Sequence, residues 1–185
     1  MFPPKDFTPL QVFLSSAMGH DRAMALRRTI RLIGERQNLF KIDVIEDAAA
    51  NLSLDELMRF HLRKADLVVV VLLEHNEHFN NFLIPKGVQT ELKGCIRLKI
   101  PTLVLVEESL ANKPAASATM QYLYTNFPNN YSFGWVQKWS GEDVLISQIE
   151  SSLYKHLRIC VELYAAGRER EQEEALGERA GQVMR

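Results

Sequence analysis

A chain of 185 residues, 46% hydrophobic and 24% charged, is long enough for one domain with a substantial core and has the composition of a globular protein. Its formal net charge of -1 gives no overall electrostatic footprint for nucleic acid or a membrane surface, and neither is expected as a partner. Two cysteines, Cys95 and Cys160, are too few for a disulfide framework and suit a reducing compartment. Met1-Phe-Pro-Pro-Lys-Asp6 lacks the basic start and apolar core of a signal peptide. No apolar run approaches the ~20 residues that span a bilayer, so a cytoplasmic protein is expected.

Leu10–Leu14 is a short apolar run, ended by Ser15-Ser16 and Gly19. A helical pattern follows from about Asp21 to Arg36, with Met24, Ile30 and Ile33 facing in and Arg22, Arg27, Arg28 and Arg31 facing out. Lys41–Ile45 alternates like a strand, and Ser53 with Glu56 forms a capping box for a helix that ends near Arg63. Asp66–Leu73 is continuous and valine-rich, as burial on both faces of a sheet demands. Residues 74–86 form a long polar loop with aromatic punctuation, a length often found in functional loops.

Gly87–Leu98 reads as a helix, Thr102–Val106 as a second buried strand behind Pro101, and Ala115–Tyr124 as another helix. Tyr131–Val136 reads as an edge strand. From Glu142 to about Ala166 the apolar positions keep a helical period, and 167–185 is a charged tail or helical extension. Residues 1–166 therefore form the domain. Strands alternating with helices predict the α/β class: a doubly wound, flavodoxin-like three-layer sandwich. Its five-stranded parallel sheet has the order 2-1-3-4-5, with a long C-terminal helix behind it.

Glu91 stands about one turn into its helix. There the positive end of the helix dipole favours an ionised carboxylate. Such a group can attack or stabilise a sugar cation, as carboxylates do in glycoside cleavage. The same position also fits a glutamate that only complements the dipole. Asp66 invites the idea of a second acid at the same sheet edge. Yet an acid that opens its strand lies at the amino end, and ligands sit beyond the carboxyl ends. By spacing alone Asp66 is a solvated residue.

Ser15, Ser16 and Gly19, between the first strand and its helix, suit either a phosphate- or sugar-binding turn or an ordinary serine-capped turn. His75 and His78 lack a third and fourth ligand, so no metal or other cofactor is expected. Phe79 and Phe82 fit a lid over a base or an anchor for the loop. Trp135 and Trp139 fit core or edge packing.

With these residues in view, the chain resembles the nucleoside 2-deoxyribosyltransferase-like superfamily. More closely it resembles the uncharacterised domain family DUF4062, which is related to that superfamily and to TIR domains. The likeness runs from about Leu10 to Glu107. It rests on Val12-Phe-Leu-Ser-Ser16, Ala65-Asp-Leu-Val-Val69, Gly87-Val-Gln-Thr-Glu91-Leu and Lys99-Ile-Pro-Thr-Leu-Val104. In the transferases the glutamate matching Glu91 is the nucleophile, and an aspartate matching Asp66 helps protonate the base. In TIR-type NAD hydrolases a glutamate also carries cleavage of the nicotinamide bond. The resemblance therefore implies catalysis by Glu91 and Asp66; Ser15, Ser16, Gly19, Lys86 and Gly87, which flank the two helix starts, are the candidate substrate-binding residues.

Two departures shape the expectation. Pro85-Lys86 stands where the transferases carry another aspartate, and Phe13 where they tend to have tyrosine. A cationic Lys86 points to a phosphorylated ligand, a nucleotide or NAD-like molecule. Three readings follow: an N-glycosidase, a TIR-like module that senses nucleotides or binds protein without turnover, and an assembly module that forms a homo-oligomer through the C-terminal helix.

Overall fold

Two runs of apolar residues without polar interruption become the centre of the sheet, because only strands covered on both faces tolerate such sequences. They are β3 (Leu67–Leu72) and β4 (Thr102–Glu107), and every residue in both is buried. The computed structural model describes residues 8–16, 21–44, 54–74, 83–128 and 134–183. The chain divides into two compact units, Met1–Glu150 and Ser151–Arg185.

In the first unit β1 (Leu10–Ser16), α1 (Asp21–Gln37), β2 (Phe40–Val44) and α2 (Leu54–Lys64) precede β3. Between β3 and β4 runs α3 (Lys86–Leu98). Beyond β4 come α4 (Glu108–Ala111), a 3-10 turn over Pro114–Ala116, α5 (Ser117–Asn126) and β5 (Gly134–Trp139). Finally α6 (Glu142–Val183) begins in this unit and supplies the second one. The five strands are parallel in the order β2-β1-β3-β4-β5, the doubly wound arrangement expected from the alternation of elements.

Alternation along the strands sorts the core into two faces. Phe13, Val68, Val70, Leu72, Val104 and Val106 pack in one cluster with Met58 and Leu62 of α2, Leu92 and Cys95 of α3, and Leu123 of α5. Leu14 and Val71 face the other way, against Ala23, Leu26 and Ile30 of α1.

Local chemistry sets the ends of α3. Pro85 precedes it, where no helical N–H is required. Lys99 closes it in the left-handed conformation (φ 54), donating to the Ile96 carbonyl, while Ile100 N–H reaches the Cys95 carbonyl. Both bonds satisfy carbonyls that a helix end leaves open. The strands that follow or precede differ from the sequence expectation by a few residues. β1 runs on to Ser16, β3 begins after Asp66, and β5 starts at Gly134 and extends to Trp139. Within Ser151–Arg185 the helix carries a side-chain ion pair, Arg158 with Glu162 at 2.7 Å, and continues through the charged tail to Val183.

Candidate active site

The strand order reverses between β1 and β3, and open α/β sheets take ligands beyond the carboxyl ends of the strands at such a point. β1 ends there in Ser15 and Ser16, paired with Val70 and Val71 of β3. Successive side chains point to opposite faces, so the two hydroxyls do not serve one pocket wall. Ser15 follows Phe13 onto the α2–α3 face and donates a buried hydrogen bond to Oε2 of Glu91 on α3. The other carboxylate oxygen, Oε1, has no hydrogen-bond partner among the described residues.

Ser16 turns to α1. Arg27 Nε donates to its hydroxyl at 2.6 Å and Nη2 to its carbonyl oxygen, also at 2.6 Å. Arg27 was expected on the outer face of α1, but it is only 3% exposed. The reason is its place on the helical stripe with Ala23 and Ile30, which turns it toward the sheet edge. There its charge is compensated by Ser16 oxygens and bears on Glu91.

Glu91 is the sixth residue of α3, and no acid lies in the first turn. The expectation that the helix dipole holds it ionised therefore fails, since that effect fades beyond the first turn. Burial governs instead. At 9% exposure the carboxyl is pushed up to about 7, against the downward pull of the Ser15 hydrogen bond and the Arg27 charge. Near neutral pH both protonation states are populated.

Helical side chains lean over the turn toward the N-terminus, so Glu91 leans toward Gly87, four residues earlier on the same face. A Cβ at Gly87 would meet nothing within 4 Å. Lys86 is exposed and starts α3. It lies ~140° around the helix from Glu91, off that face but at the same end.

Asp66 is not brought to this group. It sits at the amino end of β3, where its Oδ2 accepts the Gln11 N–H at 2.8 Å and its own N–H donates to the Gln11 carbonyl at 2.8 Å. Val70, the partner of Ser15, is four residues further along, a separation of ~13 Å along the strand. Asp66 starts the ladder between β1 and β3, and the idea of a shared edge with Glu91 is corrected by that geometry. Gly19 lies outside the described residues, as do His75, His78, Phe79 and Phe82. Trp135 and Trp139 are both buried in β5.

Sequence reasoning passed over a second buried carboxylate at the carboxyl edge. Glu107 ends β4; its Oε1 lies 2.7 Å from Arg22 Nη1 and its Oε2 accepts the Glu74 N–H at 2.8 Å. The Arg22 guanidinium also stands 5.6 Å from the centre of the Trp139 ring. This cluster ties the start of α1 to the ends of β3, β4 and β5. An acid placed directly after an apolar run, where parallel strands meet ligands, was the available signal. Cys95 is fully buried, and burial pushes its thiol up to about 12, which leaves it protonated and inert. Among the described residues no group of three or more His, Cys, Asp or Glu could hold a metal ion.

No protein-family model matches the chain, and no curated protein does. Among solved structures it is similar to a Clostridium botulinum CMP N-glycosidase, BcmB. The two share 15% identity with a TM-score of 0.51, over 76% of this chain and 97% of that one. It is also similar to the Flv1 flavodiiron core from Synechocystis sp. PCC6803, at 13% identity and a TM-score of 0.50. There the match covers 83% of this chain but 36% of the larger one. At such identities the likeness is one of fold. One fold hosts many chemistries, so function has to be argued from the Glu91 site.

Proposed function

We propose that the protein is an N-glycosidase that hydrolyses the bond between C1′ and the base of a nucleotide or NAD-like substrate. The observation that carries this reading is Glu91: a buried carboxylate at the sheet's switch point, one oxygen held by Ser15, the other without a partner among the described residues. The glycosidase-like fold supports it, as does the resemblance to transferases whose matching glutamate is the nucleophile.

The chemistry needs little more. As the C1′–N bond breaks, its electron pair leaves with the base and positive charge develops on the sugar. Ionised Glu91 stabilises that charge, or bonds to C1′ through Oε1, and water then supplies the hydroxyl to C1′ and a proton to the base. Lys86, exposed at the start of α3, suits the phosphate of the substrate as a point charge. With Asp66 at the far edge, no second carboxylate is assigned to protonate the base.

Incubation with CMP, other nucleotides and NAD, followed by chromatography for free base, tests the reading. Glu91→Gln keeps size and hydrogen bonding but removes the charge, so turnover falls by ~100-fold or more while binding survives. Lys86→Ala weakens binding of phosphorylated ligands. Wild-type protein that releases no base from any nucleotide, yet changes its melting temperature with one of them, decides for a module that senses nucleotides without turnover.

A further inference from the structure

A cleft of about 210 Å3 lies between α2 and α3, and Glu91 is not among its lining residues. Its origin is local. On α3, Thr90, Lys93, Gly94 and Arg97 recur at spacings of three and four, so they form one stripe along the helix. At Gly94 the two helices meet closely: a Cβ there would stand 2.6 Å from Leu62 Cδ1. Close contact at one point, with long side chains on either side of it, leaves a concavity. Met58 and Leu62, both 4% exposed, supply its apolar part.

The polar part is of one sign. Arg59 of α2 and Lys93 and Arg97 of α3 line the cleft, all are exposed, and no acid is among its lining residues that the structure describes. None of the three has an ion-pair or hydrogen-bond partner among the described residues. The Thr90 hydroxyl is already committed to the Lys86 carbonyl at 3.1 Å, so recognition here falls to the cations. Exposed Arg63, Lys64 and Lys86 extend the positive charge along the same helices. Exposed cations on these two helices outnumber Glu56, their exposed acid among the described residues. Three cations around one concavity repel one another, and an anion bound between them relieves that repulsion.

Size and floor narrow the anion. Pockets for drug-sized ligands run to roughly 300–1,000 Å3, so the occupant is smaller. Guanidinium groups match phosphate oxygens with paired N–H donors, and an apolar floor suits a carbon skeleton better than bare inorganic phosphate. We propose that the α2–α3 cleft binds a small phosphate ester of sugar-phosphate size. The site is separate from Glu91 and does not depend on the glycosidase reading.

Calorimetric titration and thermal melts of the full chain with glucose 6-phosphate, which is not a product of ribosyl-bond hydrolysis, test it, with inorganic phosphate as the comparison. Saturable binding of glucose 6-phosphate, tighter than phosphate and weakened by salt, is expected. Arg59→Ala and Arg97→Ala each weaken it by ~10-fold or more, a loss of the size that separates tenfold affinities. Arg97→Lys retains part of the affinity, and Glu91→Gln leaves it unchanged. These side chains are exposed, so the variants keep the fold, which circular dichroism checks. The proposal is overturned if glucose 6-phosphate does not bind, or if binding persists in the Arg59→Ala/Arg97→Ala double variant. Loss of binding in Glu91→Gln would move the ligand to the other site and overturn it as well. So would tight binding of a single-stranded oligonucleotide or of polyglutamate without binding of the small ester, since that marks a surface for a macromolecule.

Discussion

Between pH 4.5 and about 7 the unfolded chain ionises Glu91 while the folded chain keeps it protonated, because burial raises the carboxyl from 4.5 to about 7. The native state holds the extra proton. The residue's contribution to stability is therefore full below pH 4.5 and is lost as pH rises through about 7. A rise of that size corresponds to about 3 kcal/mol. Glu91→Gln has no such titration, so its stability relative to wild type should improve by about 3 kcal/mol from about pH 4 to about pH 8. Urea melts across that range measure it, and a difference that does not change with pH would show the carboxyl to be hydrated in the native state. The proposed chemistry runs on the ionised form, so kcat/KM should rise as pH passes about 7. Ser15→Ala removes a hydrogen bond that pulls the Glu91 carboxyl down. It should shift the rate profile to higher pH and cost about 1 kcal/mol of stability. An unmoved profile would mean that Ser15 does not act through Glu91.

At the scale of elements, α3 carries most of the functional argument. Its buried face holds Glu91, its N-terminal turn leaves the space at Gly87, and its outer stripe lines the α2–α3 cleft. Gly87 has no strained backbone and no neighbour that a Cβ would strike. Gly87→Ala should therefore stabilise the helix by up to about 1 kcal/mol. Gly87→Leu should keep the fold but put a bulky side chain one turn before Glu91 on the same helix face and weaken nucleotide binding, as read by titration. Unchanged nucleotide affinity in Gly87→Leu would place the substrate elsewhere.

The strands were legible because Leu67–Leu72 and Thr102–Val106 are apolar without interruption, and the sheet order followed from their alternation with helices. Arg27 was not legible: a cation in an arginine-rich helix reads as solvated until the oxygens that accept from it are known, and those belong to Ser16 on another element. Asp66 was misleading for a different reason. Its distance from Glu91 depends on where β3 starts, and an unbroken apolar run locates a strand better than it locates a strand's first residue. Glu91 itself was visible as an acid near a helix start, but its proton affinity is set by tertiary burial, which no helix position encodes.

For the whole molecule, stability should be distributed unevenly, and amide exchange can read it. The central strands β3 and β4 are hydrogen-bonded on both sides and buried along their length. Their amides should open only with global unfolding. β2 pairs with β1 alone and alternates between buried and exposed positions, so its amides should exchange faster. The far end of α6 presents the opposite case. Val161 is 55% exposed and Leu163 67%, and residues 165–167 are exposed too. Most helical stability in proteins comes from a packed face, and residues 161–163 and 165–167 bury none. Gly167, Gly177 and Gly181 each weaken the helix further, by about 1 kcal/mol relative to alanine. Backbone amides from about residue 161 onward should thus exchange orders of magnitude faster than those of Val68–Val71, at a rate independent of protein concentration. Protection in that segment equal to the central strands, and growing with concentration, would contradict the expectation and show that a second copy of the chain covers Val161 and Leu163.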